Sequence, residues 1–254
     1  VYNNIKDKKM TQIRTKYQLP SVAPIPGIKF DVEKLRQEVA RLNEEWVNVY
    51  QANRGLCAVH EDLASDNYHH FDQINLTYYE QSLNDVLDLT ELRNECKITA
   101  NSESLGKSKT QKYRTKIRRM EGLPAPMNEH NWYHPLPIYQ GSYLKEAIEG
   151  QFNSTPIRVR LSRIRAGKYL TPHIDYGPDY AVRIIVPIQG TEGVYNKVWR
   201  RGVEEEYQMP SDGSAYFLNV GLKHSVEHRG EQDRIALMFS LPTQEDIATL
   251  ETVQ

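Results

Sequence analysis

Two hydrophobic periods divide this chain. From Asp31 onward, Val32, Leu35, Val39, Leu42, Trp46 and Val49 recur at spacings of 3, 4, 3, 4 and 3, a continuous apolar stripe along one helix. Asp31 stands where an N-cap belongs, and such a stripe predicts a support helix laid on a sheet. After residue 156 the period falls to two. Residues 157–161 alternate, 181–188 are rich in β-branched side chains, 215–220 are short and aromatic, and 235–241 alternate again. Glycines at 167, 177, 190, 193, 213, 221 and 230 punctuate these runs as turns. Short strands with regular turns and no intervening helix predict an antiparallel sandwich or barrel.

The intervening region reads less sharply. Residues 73–79 look like a strand and 81–96 like a weak helix, and Ser142 caps a short helix carrying Leu144, Ala147, Ile148 and Phe152. Pro124-Ala125-Pro126 and the run His130-Asn131-Trp132-Tyr133-His134-Pro135 form an irregular, aromatic-rich connector of the kind that lines ligand sites. Residues 1–30 are polar, basic and broken by Pro20, Pro24 and Pro26, so they are expected to be extended and partly mobile. The expected organisation is one domain over 31–254. Its residues 31–155 supply helices and substrate-side elements, and 156–242 supply a β core.

Composition narrows the class without naming it. With 32 basic against 33 acidic residues, no global field steers the chain toward nucleic acid or membrane. Cys57 and Cys96 make neither a disulfide framework nor a metal spacing, and read as free thiols of a reducing compartment. No run approaches the ~18 apolar residues that span a bilayer, and the N-terminal stretch lacks a signal-like apolar core. A cytoplasmic protein is the expectation. From Lys107 to Arg119 seven basic residues occur with no acid. Its plain reading is a solvated loop or strand edge, and its sharper one a patch facing an anionic substrate or nucleic acid. With only Tyr113 available for stacking, the nucleic-acid version has little support.

The chemistry concentrates around His173-Ile174-Asp175. On a strand, residues at i and i+2 leave the same face, so the imidazole and the carboxylate point together. His224, fifty-one residues later and directly after another strand-like run, would complete two imidazoles and one carboxylate on one side of a metal. That facial set leaves positions open and suits non-haem Fe(II) oxygenases, with O2 and a chelating co-substrate as the other ligands; zinc prefers a more nearly closed tetrahedron. The bland reading, histidines that merely pack, accounts for each residue alone and poorly for the three together. On the run beginning at Asp233, period two sets Arg234 on the face of Ala236, Met238 and Ser240, opposite Ile235, Leu237, Phe239 and Leu241. An inward guanidinium is costly unless it meets an anion, and a carboxylate is the natural partner. Arg183 interrupts an otherwise apolar run and raises the same question.

Ser162, the turn at Gly167, His173-x-Asp175, Arg183, His224 and Arg234 together resemble the aspartyl/asparaginyl β-hydroxylase-like branch of the Fe(II)/2-oxoglutarate-dependent dioxygenases, which also holds free-proline cis-hydroxylases. The resemblance covers roughly residues 157–241. It implies a mainly β, helix-supported (α+β) fold with a double-stranded β-helix core, also called a jelly roll and similar to the cupins. It implies His173, Asp175 and His224 as metal ligands and Arg234 on the distal carboxylate of 2-oxoglutarate. Arg183 and Ser162 would stand where the co-substrate carboxylates are contacted. The implied reaction hydroxylates an unactivated C–H of a free amino acid or peptidyl side chain, with 2-oxoglutarate decarboxylated to succinate and CO2. Two departures stand out. Asp175 occupies a position where the animal aspartyl/asparaginyl hydroxylases have glycine, and Ile185 one where the branch often has histidine. Retaining the carboxylate also argues against halogenation. Candidate substrate contacts are Tyr176 and Tyr180 beside the ligands, Tyr195 and Trp199 on a following loop, and Asn131, Trp132 and His134 on the connector. Three rivals stay open: an oxygenase of nucleic acid or another large anion, a non-oxidative cupin-type metal or ligand binder, and a partner-binding module without metal.

Overall fold

The computed structural model describes residues 13–48, 71–78, 130 and 132–253. His69-His70, the helix expected over 81–96, both cysteines, the basic stretch 107–119, residues 124–126 and Asn131 lie outside those residues.

The organising unit is one long antiparallel ribbon folded back on itself. Eight strands run in sequence: β6 (Ile157–Ile164), β7 (Tyr169–His173), β8 (Val182–Gln189), β9 (Val194–Arg200), β10 (Val203–Tyr207), β11 (Ser214–Leu218), β12 (Lys223–His228) and β13 (Arg234–Leu241). They pair concentrically, β9 with β10, β8 with β11, β7 with β12 and β6 with β13, all antiparallel. The ribbon's tip is the two-residue turn Arg201-Gly202, with φ of 49° and 85°. Two successive positive φ angles give the turn twist that matches paired strands. Coiling the ribbon distributes its strands between two sheets, and this is the double-stranded β-helix, or jelly roll.

Among the described residues five strands precede the ribbon: β1 (Val22–Lys29), β2 (Val47–Asn48), β3 (Phe71–Asn75), β4 (Thr77–Tyr78) and β5 (His134–Pro135). β1, β2 and β3 widen one sheet to seven strands in the order β1-β11-β8-β13-β6-β3-β2. The other sheet keeps four, β10-β9-β12-β7, while β4 and β5 pair separately. Among the described residues two helices, α1 (Val32–Arg41) and α2 (Tyr143–Glu149), lie near the larger sheet. Alternation along the strands then builds two cores. Val182, Ile184, Val186, Ile235, Leu237 and Phe239 face outward into a cluster with Leu35 and Val39 of α1 and Leu144 and Ile148 of α2. Ile185, Leu218 and Ala236 face the smaller sheet and meet Val198, Val220 and Leu222. Covered on both faces, β8 is apolar at nearly every position, as doubly buried strands are.

Local chemistry explains most boundaries. Asp31 caps α1 by accepting from the N–H groups of Glu33 and Lys34 at 3.0 and 3.1 Å, and Ser142 caps α2 through Lys145. The helix expected to reach Val49 stops at Arg41. A 3-10 turn over Asn43–Glu45 follows, and the chain then becomes β2, pairing Val47 with Gln73. The rest of the stripe still serves the same core: Leu42 is buried, and Trp46 packs against that cluster with the Arg163 guanidinium 4.5 Å from its ring centroid. Pairing with β3 outweighs continuation of the helix. Residues 22–29 of the segment expected to be partly mobile are an edge strand, where Pro24 and Pro26 are tolerated because the outer N–H groups need no partner. β3 is held to its neighbours by the buried Asp72, which accepts from Arg163, Arg165 and Asn48.

Gly213 lets β1 approach β11. Its φ is +84°, it accepts from the Phe30 N–H at 2.8 Å, and a Cβ there would stand 2.2 Å from the Phe30 carbonyl oxygen. Gly213→Ala should therefore cost about 2 kcal/mol, or roughly 4–8 °C in Tm for a chain of this size. A thermal melt showing no loss would mean that this close approach is dispensable.

Candidate metal centre and ligand cavity

The candidate ligands come from adjoining strands of the smaller sheet. β7 and β12 pair so that His173 and His224 are direct register partners, with ring centroids 4.2 Å apart. Just beyond β7, the Asp175 N–H donates to the Val220 carbonyl at 3.0 Å, which fixes the backbone from which its carboxylate projects. One donor atom from each of His173, Asp175 and His224 lies within 4.8 Å of the others, and His173 Nε2 is 3.7 Å from Asp175 Oδ1.

Both imidazoles are oriented alike. His173 Nδ1 is 2.7 Å from the Thr171 carbonyl oxygen, and His224 Nδ1 is 3.0 Å from that of Leu222. A carbonyl can only accept, so each Nδ1 carries a proton, and in the neutral imidazole the lone pair then stands on Nε2. Backbone carbonyls in this role fix tautomer and ring direction at metal sites. Burial, then the neighbouring His173, pushes the pKa of His224 down to about 4, so that imidazole is neutral near pH 7. Burial opposes ionisation of Asp175, but His173, His224, Arg183 and Arg158 together hold its carboxyl below the usual carboxylate range. Imidazole lone pairs directed outward beside an ionised carboxylate fit a divalent cation.

These residues close one side of a cavity of about 70 Å3 between the sheets. At about 10–15 Å3 per water it holds roughly five waters, the bulk of a small organic acid rather than of a peptide. Phe71, Ile164, Leu170, Ile185, Val226 and Met238 form its apolar walls, and Gln73, Arg160, Asn196 and Arg234 are polar. Arg234 opens β13 on the inner face, the side expected from period two. It is buried, and no hydrogen bond or ion pair satisfies it among the described residues; burial alone pushes its pKa down to about 10. Arg183 lines the cavity too, but its guanidinium donates to the Tyr176 hydroxyl at 2.5 Å and the Ser240 hydroxyl at 3.2 Å. It also lies 3.9 Å from Asp175. Ser162 is fully buried, with no hydrogen-bond partner for its hydroxyl among the described residues.

The candidate substrate contacts separate. Tyr176 is buried beside Asp175 within the Arg183–Ser240 network, and Tyr180 packs on Tyr176 and His130. Trp132 is buried and donates its indole N–H to the Thr77 carbonyl at 2.5 Å. His134 sits on β5 between the rings of Tyr78 and Tyr133. Neither Trp132 nor His134 lines the cavity. Tyr195 and Trp199, expected on a loop, belong to β9, where Asn196 and Val198 take the buried inner positions. Tyr195 and Trp199 face the other way, under Arg229 at 4.3 Å and Lys223 at 5.0 Å. The inward polar residues Gln73, Arg160 and Asn196 were not singled out in the sequence. Alternation of Gln73 and Asn75 with Ile74 and Leu76 was the available signal for the first; Asn196 sat in a strand that turn residues and charges concealed.

No family model and no curated protein matches this chain. Similar solved structures include an oxidoreductase of the 2OG-Fe(II) oxygenase family from Burkholderia pseudomallei, 13% identical over 82% of this chain and 90% of that one, with a TM-score of 0.35. A predicted oxalate decarboxylase from Thermotoga maritima is 17% identical over 39% and 73%, with a TM-score of 0.25. A cupin domain from Bordetella pertussis is 14% identical over 36% and 86%, with a TM-score of 0.27. At such scores the fold assignment rests on the strand pairing itself. The chain is a double-stranded β-helix protein with a two-histidine, one-aspartate cluster at an internal cavity. No helix among the described residues is long and apolar enough to cross a membrane.

Two predictions follow from the electrostatics. In the metal-free protein His224 is neutral when folded, whereas the unfolded chain takes a proton there near the ordinary value of 6.5. Its folded pKa is depressed, so its contribution is complete above pH 6.5 and disappears as pH falls toward 4, on the order of 3 kcal/mol. Denaturant unfolding of His224→Gln should lack that slope between pH 6.5 and 4. Arg183→Met should weaken Mn(II) binding several-fold by unseating Asp175; unchanged metal affinity would leave Arg183 with only a co-substrate role.

Proposed function

We propose that this protein is an Fe(II)/2-oxoglutarate-dependent dioxygenase that hydroxylates an unactivated C–H bond of a free amino acid or a peptidyl side chain. The observation that carries the reading is the pairing of two features in one small cavity. At one end stand two imidazoles and a carboxylate, and on the wall of the same cavity stands Arg234, a buried cation with no counter-ion among the described residues. A buried guanidinium without a partner is expensive, and a carboxylate delivered by a small acid removes the cost through a two-pronged pairing.

His173, Asp175 and His224 would hold the metal, their rings set by the Thr171 and Leu222 carbonyls and the carboxylate steadied by Arg183. Ferrous iron supplies the oxygen chemistry when bound, with 2-oxoglutarate and O2 giving succinate, CO2 and the hydroxylated product. The chain's own share is placement. Arg234 takes the distal carboxylate, the apolar walls exclude water, and the partly exposed side of the cluster at His173 is left for the substrate. A non-oxidative cupin-type metal binder is the other reading, and it has no use for Arg234.

Anaerobic addition of Fe(II) and 2-oxoglutarate should give a weak visible charge-transfer band, and admission of air should release succinate. Asp175→Ala and His224→Ala should each abolish the band. Arg234→Ala should mainly raise the apparent KM for 2-oxoglutarate, by about tenfold or more, because it removes a binding charge and no metal ligand. Metal binding with neither band nor succinate would favour the non-oxidative reading.

A further inference from the structure

On the inner face of the larger sheet, β3, β6 and β13 lie side by side, and their registers make a small lattice. Phe71, Ile164 and Arg234 form one row across the three strands, and Gln73, Ser162 and Ala236 the next. Strands stand about 4.8 Å apart, so Ser162 is one strand from Gln73 and one strand from the residue beside Arg234. All three polar side chains are buried. Among the described residues the side-chain carbonyl oxygen of Gln73 and the hydroxyl of Ser162 have no hydrogen-bond partner, and although they are register partners they do not bond each other. Buried polar atoms in folded proteins nearly always find a partner, and here two stand unmatched next to an unmatched cation. Ala236 completes the row with a small side chain, and Gln73 and Arg234 line the cavity on either side of Ser162.

We propose that Gln73 is a specificity-determining residue for the distal carboxylate of a dicarboxylic 2-oxo acid, donating its amide N–H to that carboxylate beside Ser162 and Arg234. A carboxylate offers about four lone-pair sites. The two prongs of the guanidinium occupy two, the Ser162 O–H a third and the Gln73 amide the fourth. The amide can present its nitrogen because the two ends of a glutamine side chain exchange by a simple flip. This assignment rests on the dioxygenase reading and adds to it a residue from outside the eight-stranded ribbon. It also implies a trade-off: without ligand, the buried amide destabilises the protein that it equips to choose its acid.

The test compares 2-oxoglutarate with pyruvate, which shares the 2-oxo-acid end and lacks the distal carboxylate. Their affinities are measured calorimetrically on the Mn(II)-loaded full chain, with thermal melts of the ligand-free protein alongside. In Gln73→Leu the ratio of 2-oxoglutarate to pyruvate affinity should fall about ten- to hundredfold, the loss of one hydrogen bond to a charged group. Its ligand-free Tm should equal or exceed that of the parent. Gln73→Glu, which turns a negative charge toward the carboxylate, should lower the ratio further. An unchanged ratio in both variants overturns the role of Gln73 while leaving the dioxygenase reading intact. A parent protein that prefers neither acid overturns that reading and this one together.

Discussion

The antiparallel pairing of β7 with β12 is the constraint on which the centre depends. It sets His173 opposite His224, and its continuation through the Asp175–Val220 hydrogen bond adds the carboxylate. Side chains alternate across a strand, so a slip by one residue in this pair would turn one imidazole to the outer surface and leave the other inside. The pair cannot slip alone. It is nested between β6–β13 and β8–β11 in a single ribbon whose tip is fixed by the Arg201-Gly202 turn, and each layer of pairing holds the register of the next. Ligand geometry is thus a property of the whole winding.

Two buried arginines on the same inner face have opposite situations. Arg183 is satisfied from within, by Tyr176, Ser240 and the nearby Asp175. Arg234 has no such support among the described residues. The first situation suits a strut and the second a receptor; in the sequence Arg183 interrupts an apolar run and Arg234 begins one, and both pose the question of an anionic partner. The difference arises from what stands opposite: Tyr176 and Ser240 converge on Arg183 from other elements, whereas Arg234 looks into open space.

Legibility followed burial. The ribbon strands of the larger sheet were readable because one or both faces are apolar, while its edge strands β1 and β2 were not, and the inward side of Arg234, Ala236, Met238 and Ser240 came directly from period two. The three cluster residues were readable from i, i+2 spacing and one distant histidine. Much of the smaller sheet was hidden, because its outer face meets solvent: Val203–Tyr207 carries three glutamates, and β9 alternates buried with half-exposed positions. That is why Tyr195 and Trp199 read as loop residues. The end of α1 was hidden for another reason, since the apolar stripe continues through a 3-10 turn and a strand that bury the same side chains without helical geometry. Gln73 and Ser162 escaped notice together as a pair because nothing in sequence tells which strand β3 joins.

The anchoring of β3 through Asp72 has a consequence for how such a scaffold diversifies. The carboxylate lies on the far side of the sheet from the cavity and grips Arg163, Arg165 and Asn48, so the strand is secured by contacts that no ligand touches. The wound ribbon thus carries the two-histidine, one-aspartate cluster, and an appended strand supplies one wall of the cavity. Exchanging that appendage, with its outer clasp kept, would reshape the cavity wall without disturbing a single residue of the cluster.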